Sequence, residues 1–86
     1  MEDTPLTFPC VYPLKVMGAN TAEFRAQMRS VISAELGAGQ PLEVAEKLSA
    51  NAKFVSLTCT VDVPSRDELD RLYRTLHATG HVLMAL

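Results

Sequence analysis

The chain has 86 residues with 48% hydrophobic and 21% charged side chains, which excludes both a multidomain enzyme and a disordered polymer. Eight Lys and Arg against ten Asp and Glu leave a net charge of −2, so no basic excess marks it for nucleic acid or an anionic membrane. Two cysteines, Cys10 and Cys59, are too few for a disulfide framework and fit the ordinary thiols of a reducing compartment. Met1 to Pro5 carry acids and the first basic residue is Lys15, unlike a secretory leader. The longest apolar run, Val82 to Leu86, is far below the ~20 residues that span a bilayer. A cytoplasmic protein with no membrane association is expected.

Residues 1–9 hold two prolines and no hydrophobic period, and read as an irregular lead-in. From Cys10 to Met17, Tyr12, Leu14 and Val16 alternate with Pro13 and Lys15, the period of a strand with one buried face. Pro13 cannot donate to a ladder, so the strand either begins near Leu14 or bulges there. Gly18-Ala19-Asn20 breaks it, and Asn20 with Glu23 three residues on has the form of a helix N-cap. Phe24, Met28, Val31 and Ile32 share one side of the helix that follows, to about Leu36, with Gly37 and Gly39 as its stop.

After Pro41, Leu42, Val44 and Leu48 alternate with Glu43, Ala45 and Lys47, and Glu46 interrupts the apolar side, as suits an edge strand. Ser49 to Ala52 reads as a hairpin connection, with Asn51 the residue suited to positive φ. The next segment alternates most clearly. Val55, Leu57, Cys59 and Val61 face one way and Ser56, Thr58, Thr60 and Asp62 the other.

Ser65 and Glu68 form a capping box at the start of a second helix, whose Leu69, Leu72, Tyr73 and Leu76 fall at i, i+3, i+4, i+7. Asp67 with Arg71 and Asp70 with Arg74 are four-apart pairs on its wet side. Gly80 stops the helix. Val82, Met84 and Leu86 then alternate with His81, Leu83 and Ala85 as a short final strand.

The order β-α-β-β-α-β in residues 1–86 predicts one α+β domain, a ferredoxin-like two-layer sandwich. Its four-stranded antiparallel sheet has spatial order 4-1-3-2, with both helices on one face.

Phe8-Pro9, Tyr12 and the run Lys15-Val16-Met17-Gly18 resemble the opening of the YbeD-like family of small bacterial proteins, a domain of unknown function. Length, the two capped helices and the closing Val82, Met84 and Leu86 agree along the whole chain. Leu83, on an open sheet face, and the extra thiol of Cys10 are mild departures. The resemblance implies a ferredoxin-like fold similar to the ACT domains that sense small metabolites, and brings no catalytic residues.

The turn from Lys15 to Asn20 is the candidate ligand site, through Lys15, Gly18 and Asn20, since a glycine and a helix N-terminus let a ligand approach backbone N–H groups. The plainer reading of the same residues is a tight turn at Gly18, a cap at Asn20 and a solvated Lys15. Met17, Phe54 and Leu83, with Val11, fall beside Ser56, Thr58 and Thr60 on the open sheet face, either as an interface or as ordinary surface. His77 and His81 lie four apart, but Gly80 intervenes, so two free surface histidines and no metal are expected. Cys59 reads as a buried hydrophobe, and a pairing with Cys10 stays open.

The expected function is a regulatory or binding module with no cofactor and no catalysis, taking a small metabolite or a partner protein, with a homodimer in character. The alternative is an adaptor that docks through its open sheet face or edge. An acyl-phosphate hydrolase would need an arginine in the first loop, where Met17 to Thr21 offer none, and no nucleophile–base pair is evident. An RNA-binding sheet would present outward aromatics on its central strands, where Ser56, Thr58 and Thr60 stand.

Overall fold

The computed structural model describes residues 7–37 and 43–86. Strands β1 (Cys10–Ala19), β2 (Glu43–Leu48), β3 (Phe54–Val63) and β4 (Met84–Ala85) alternate with helices α1 (Ala22–Leu36) and α2 (Arg66–Ala78) in the order β-α-β-β-α-β. The sheet is antiparallel with order β2-β3-β1-β4, the expected 4-1-3-2 read from the other edge. The helices bury Phe24, Met28, Ile32, Leu69, Leu72 and Leu76 against Leu14 and Val16 of β1 and the alternate residues Val55 to Val63 of β3. Gly39, Pro41 and Leu42 lie outside the described residues.

Pro13 neither delays nor bulges the first strand. β1 and β3 pair without a break from Cys10 opposite Val63 to Ala19 opposite Phe54, with Pro13 opposite Thr60. Lys15 exchanges both its backbone hydrogen bonds with Leu86, on the β4 side. Pro13, two residues earlier, turns its nitrogen to that same side, and the described pairing of β4 does not extend there.

Gly18 is buried, and a Cβ there would overlap the Phe24 ring, so its role is to let the first side chain of the α1 core stripe lie on β1. The α1 N-cap is Thr21, whose hydroxyl accepts from the Phe24 amide at 3.0 Å. Asn20, the cap expected from the sequence, is used otherwise. Its backbone N–H donates to the Lys53 carbonyl at 3.1 Å, and Nδ2 donates to the Ala52 carbonyl at 2.8 Å. Its Oδ1 accepts from Arg25 Nη2 at 2.7 Å, and Arg25 Nε donates to Glu46 at 2.9 Å. Glu46 breaks the apolar pattern of β2 because it sits at an edge on the helix side, where Arg25 meets it.

In the β2–β3 hairpin the positive φ belongs to Ala52, at 59°, and not to Asn51. Asn51 instead accepts from the Ser49 hydroxyl and the Lys53 amide, an Asx-type closure of the turn. Only half of the capping box forms at α2. Ser65 accepts from the Glu68 amide, while Glu68 Oε1 accepts from Arg71 Nη1 at 3.0 Å, so Arg71 pairs three residues back and not with Asp67.

The last strand corrects the sequence reading most. Ala85 stands opposite Val16 and faces the helices, whereas Met84 stands opposite Met17 on the open face. Val82 packs on the core, but Met84 and Leu86 are 50% and 63% exposed. The alternation counted from Val82 fails because Val82 and Leu83 precede the strand, and the inside–outside phase resets at Met84.

Candidate functional site

Three separate segments meet where β1 turns into α1: Ala19 and Thr21 of the turn with α1 behind them, Phe54 at the start of β3, and Gly80 to Leu83 between α2 and β4. They enclose an open groove of about 370 Å³. Phe24, Phe54 and Leu83 make its walls apolar, and Thr21 at the N-cap joins Glu23 and Gln27 from the first two turns of α1. His81 stands across from them, its Nδ1–H donating to Gln27 Oε1 at 2.7 Å. Gly80, at φ +78°, ends α2 and turns the chain so that His81 leaves the helix axis. Among the described residues no three His, Cys, Asp or Glu side chains gather as a metal-ligating group.

The candidate ligand residues do not converge. Gly18 is covered by the Phe24 ring, and the Asn20 side chain is taken up by Ala52 and Arg25. Their neighbours Ala19 and Thr21 line the groove instead. Lys15 lies on the other side of the sheet, exposed and opposite Thr58. Of the candidate interface residues, Phe54 and Leu83 line the groove, while Met17 belongs to the open face beside Met84. His81 and Gln27 were not legible as a pair, because 54 positions separate them.

Burial raises the Cys59 thiol from 9.0 to about 11 against a smaller opposing pull from Arg29. Cys10 is half-buried, and the register sets it four residues along the strand from Cys59, ~13 Å at ~3.3 Å per residue. That is beyond the ~7 Å limit for a disulfide, so the two thiols stay unpaired. With an aromatic disulfide reagent at pH 8, native protein is expected to release about one equivalent quickly, from Cys10, and the second only on unfolding. Two fast equivalents would contradict the burial of Cys59. Because its folded value is raised, Cys59 leaves stability intact below pH 9 and lowers it as pH rises toward about 11, where the unfolded chain ionises first. The Tyr73 phenol acts in the same direction, pushed up by burial and by its hydrogen bond with Tyr12 at 3.0 Å.

A four-stranded antiparallel sheet covered on one face by two helices defines the class, an α+β protein of ferredoxin-like architecture. A solution structure of an H. pylori protein matches it with a TM-score of 0.78 at 19% identity, over 99% of this chain and 89% of that one. The chain belongs to the small bacterial family described as "Protein of unknown function (DUF493)", whose model matches residues 3–86. A UPF0250 protein of Nitrosomonas europaea is 32% identical over 85 residues, 99% of this chain and 98% of its own. A UPF0250 protein of Bordetella parapertussis is 34% identical over 85 residues, 99% and 91% of the two chains. This is the YbeD-like family that the Lys15 to Gly18 run resembles. No activity is assigned to it by these descriptions, and no described helix is long and apolar enough to cross a membrane.

Proposed function

We propose that this protein is a small cytoplasmic regulatory module, without catalysis of its own, that binds a small metabolite in the groove between the α1 N-terminus, Phe54 and the α2–β4 connection. The observation that carries this reading is the groove itself. Its volume of about 370 Å³ falls in the ~300–1,000 Å³ range of small-ligand sites, with apolar walls and a few convergent polar groups. Phe24, Phe54 and Leu83 hold the apolar part of the ligand, and Gln27 with His81 orients its polar part. Gly18 and Asn20 serve by shaping the groove: one seats Phe24, the other fixes the turn against the hairpin. Lys15 takes no part.

Pools of amino acids, nucleotides and small carboxylic acids added to the protein test this by thermal shift. A ligand present at ~100 times its dissociation constant adds about 2.7 kcal/mol, which raises the melting temperature of a domain this size by roughly 10 °C or more. Leu83→Asp, at a position 62% exposed, is expected to keep the fold and abolish the rise. If no pool raises the melting temperature, or if Leu83→Asp leaves the rise intact, the reading fails. A protein-docking adaptor is the second reading, favoured by the exposed Met17, Met84 and Leu86 on the open face.

A further inference from the structure

The open face of the sheet carries a second groove, of about 360 Å³, on the opposite side of Phe54 from the first. Met17 and Phe54 give it apolar walls, Leu48, opposite the core residue Val55, borders it at the strand end, and Lys15 and Lys47 stand at its polar side with Ser56. The register fixes how these groups sit. Lys47, Ser56 and Met17 form one cross-strand row over β2, β3 and β1, and Lys15 lies two residues along β1, opposite Thr58. Two strand spacings of ~4.8 Å and one two-residue step of ~6.7 Å put the Lys15 and Lys47 backbones ~12 Å apart. Lysine side chains of ~6 Å rising from both flanks reach an anion held above Ser56 on the strand between them.

Charge selects the ligand. Among the described residues the ion pairs are Arg25–Glu46 and Arg71–Glu68, and neither lysine takes part in one. Two like charges of an acidic chain thus border one groove, neither held in an ion pair among the described residues. A cation is repelled there, a neutral apolar molecule leaves both ammonium groups unused, and a large polyanion finds no apolar partner for its body. We propose that this groove is a binding site for a small amphiphilic monoanion, a carboxylate whose head lies between Lys15 and Lys47 and whose apolar chain or ring lies on Met17 and Phe54. The site is independent of the metabolite groove, although Phe54 lines both.

A matched six-carbon series tests it: sodium hexanoate, hexylammonium chloride and 1-hexanol, each titrated into ¹⁵N-labelled protein at low salt. Hexanoate is expected to give saturating shifts at Met17, Lys47 and Ser56, with a dissociation constant of about 1 mM for so small a ligand. Lys15→Gln and Lys47→Gln, both at exposed positions, are each expected to weaken it about threefold to fivefold, and the double variant about tenfold or more. Raising ionic strength weakens it further. Hexanol binding as tightly as hexanoate, or hexanoate binding the double variant as tightly as the native chain, would overturn the proposal. So would hexanoate shifts confined to Thr21, Gln27 and His81, which belong to the other groove. Absence of any saturating shift overturns it too.

Discussion

Gly18→Ala is expected to lower the melting temperature by roughly 10–20 °C, the equivalent of about 2–3 kcal/mol, although it adds a single methyl group. The added Cβ overlaps the Phe24 ring, which is 4% exposed and begins the buried stripe of α1. Either the ring leaves the core or α1 lifts from β1, and both lose apolar contact. The effect belongs to space and not to backbone conformation, because Gly18 is not among the glycines with positive φ. A double-mutant cycle separates the two. Combined with Phe24→Leu, the Gly18→Ala change is expected to cost less than in the native background by more than about 1 kcal/mol. Urea unfolding of the four proteins reads this directly. Additive losses would show that Phe24 does not rest on Gly18.

The second large effect separates two leucines that a sequence pattern places equally inside. Leu72 of α2 is fully buried, whereas Leu86 is 63% exposed. Leu72→Ala leaves a cavity between α2 and the sheet and is expected to cost about 3–4 kcal/mol. Leu86→Ala removes a side chain from the solvated face and is expected to change stability by less than about 0.5 kcal/mol. The backbone hydrogen bonds between Leu86 and Lys15, at 2.8 and 3.1 Å, do not depend on that side chain. Denaturant midpoints for the pair test the inside–outside phase of β4. Comparable losses would mean that Leu86 faces the helices.

That pair also marks where the fold was legible in the sequence. In β3 five inward residues alternate without interruption, and α2 repeats its leucines over two turns, so each pattern outlasts local ambiguity. β4 has two residues, too few to show a period, and the phase counted from Val82 ran through a segment outside the strand. Asn20 and Thr21 are both good N-caps. The choice between them rests on the Ala52 carbonyl, 32 positions away, which claims the Asn20 amide and leaves Thr21 for Phe24. The hairpin followed the same logic. Asn51 uses its side chain to close the turn, and the positive φ passes to Ala52.

The candidate site was legible only in its location. The turn after β1 borders a groove, but Gly18 and Asn20 make their contacts within the fold, with Phe24 and Arg25, while their neighbours Ala19 and Thr21 line the space. Gln27, Phe54 and His81 come from three distant segments, and no local motif announces their meeting. Glycines usually advertise ligand approach, yet Gly18 admits a phenyl ring of its own chain. Lys15 faces the other groove, where its partner Lys47 sits on the far side of β3.

The measurement that bears most directly on the central reading is the ¹⁵N–¹H amide spectrum titrated with pools of small metabolites. Binding in the groove predicts saturable shifts gathered at Thr21, Glu23, Gln27, Phe54, His81 and Leu83, with β2 and the far end of α2 unmoved. Flat spectra across every pool, or shifts gathered on the open face alone, would contradict it.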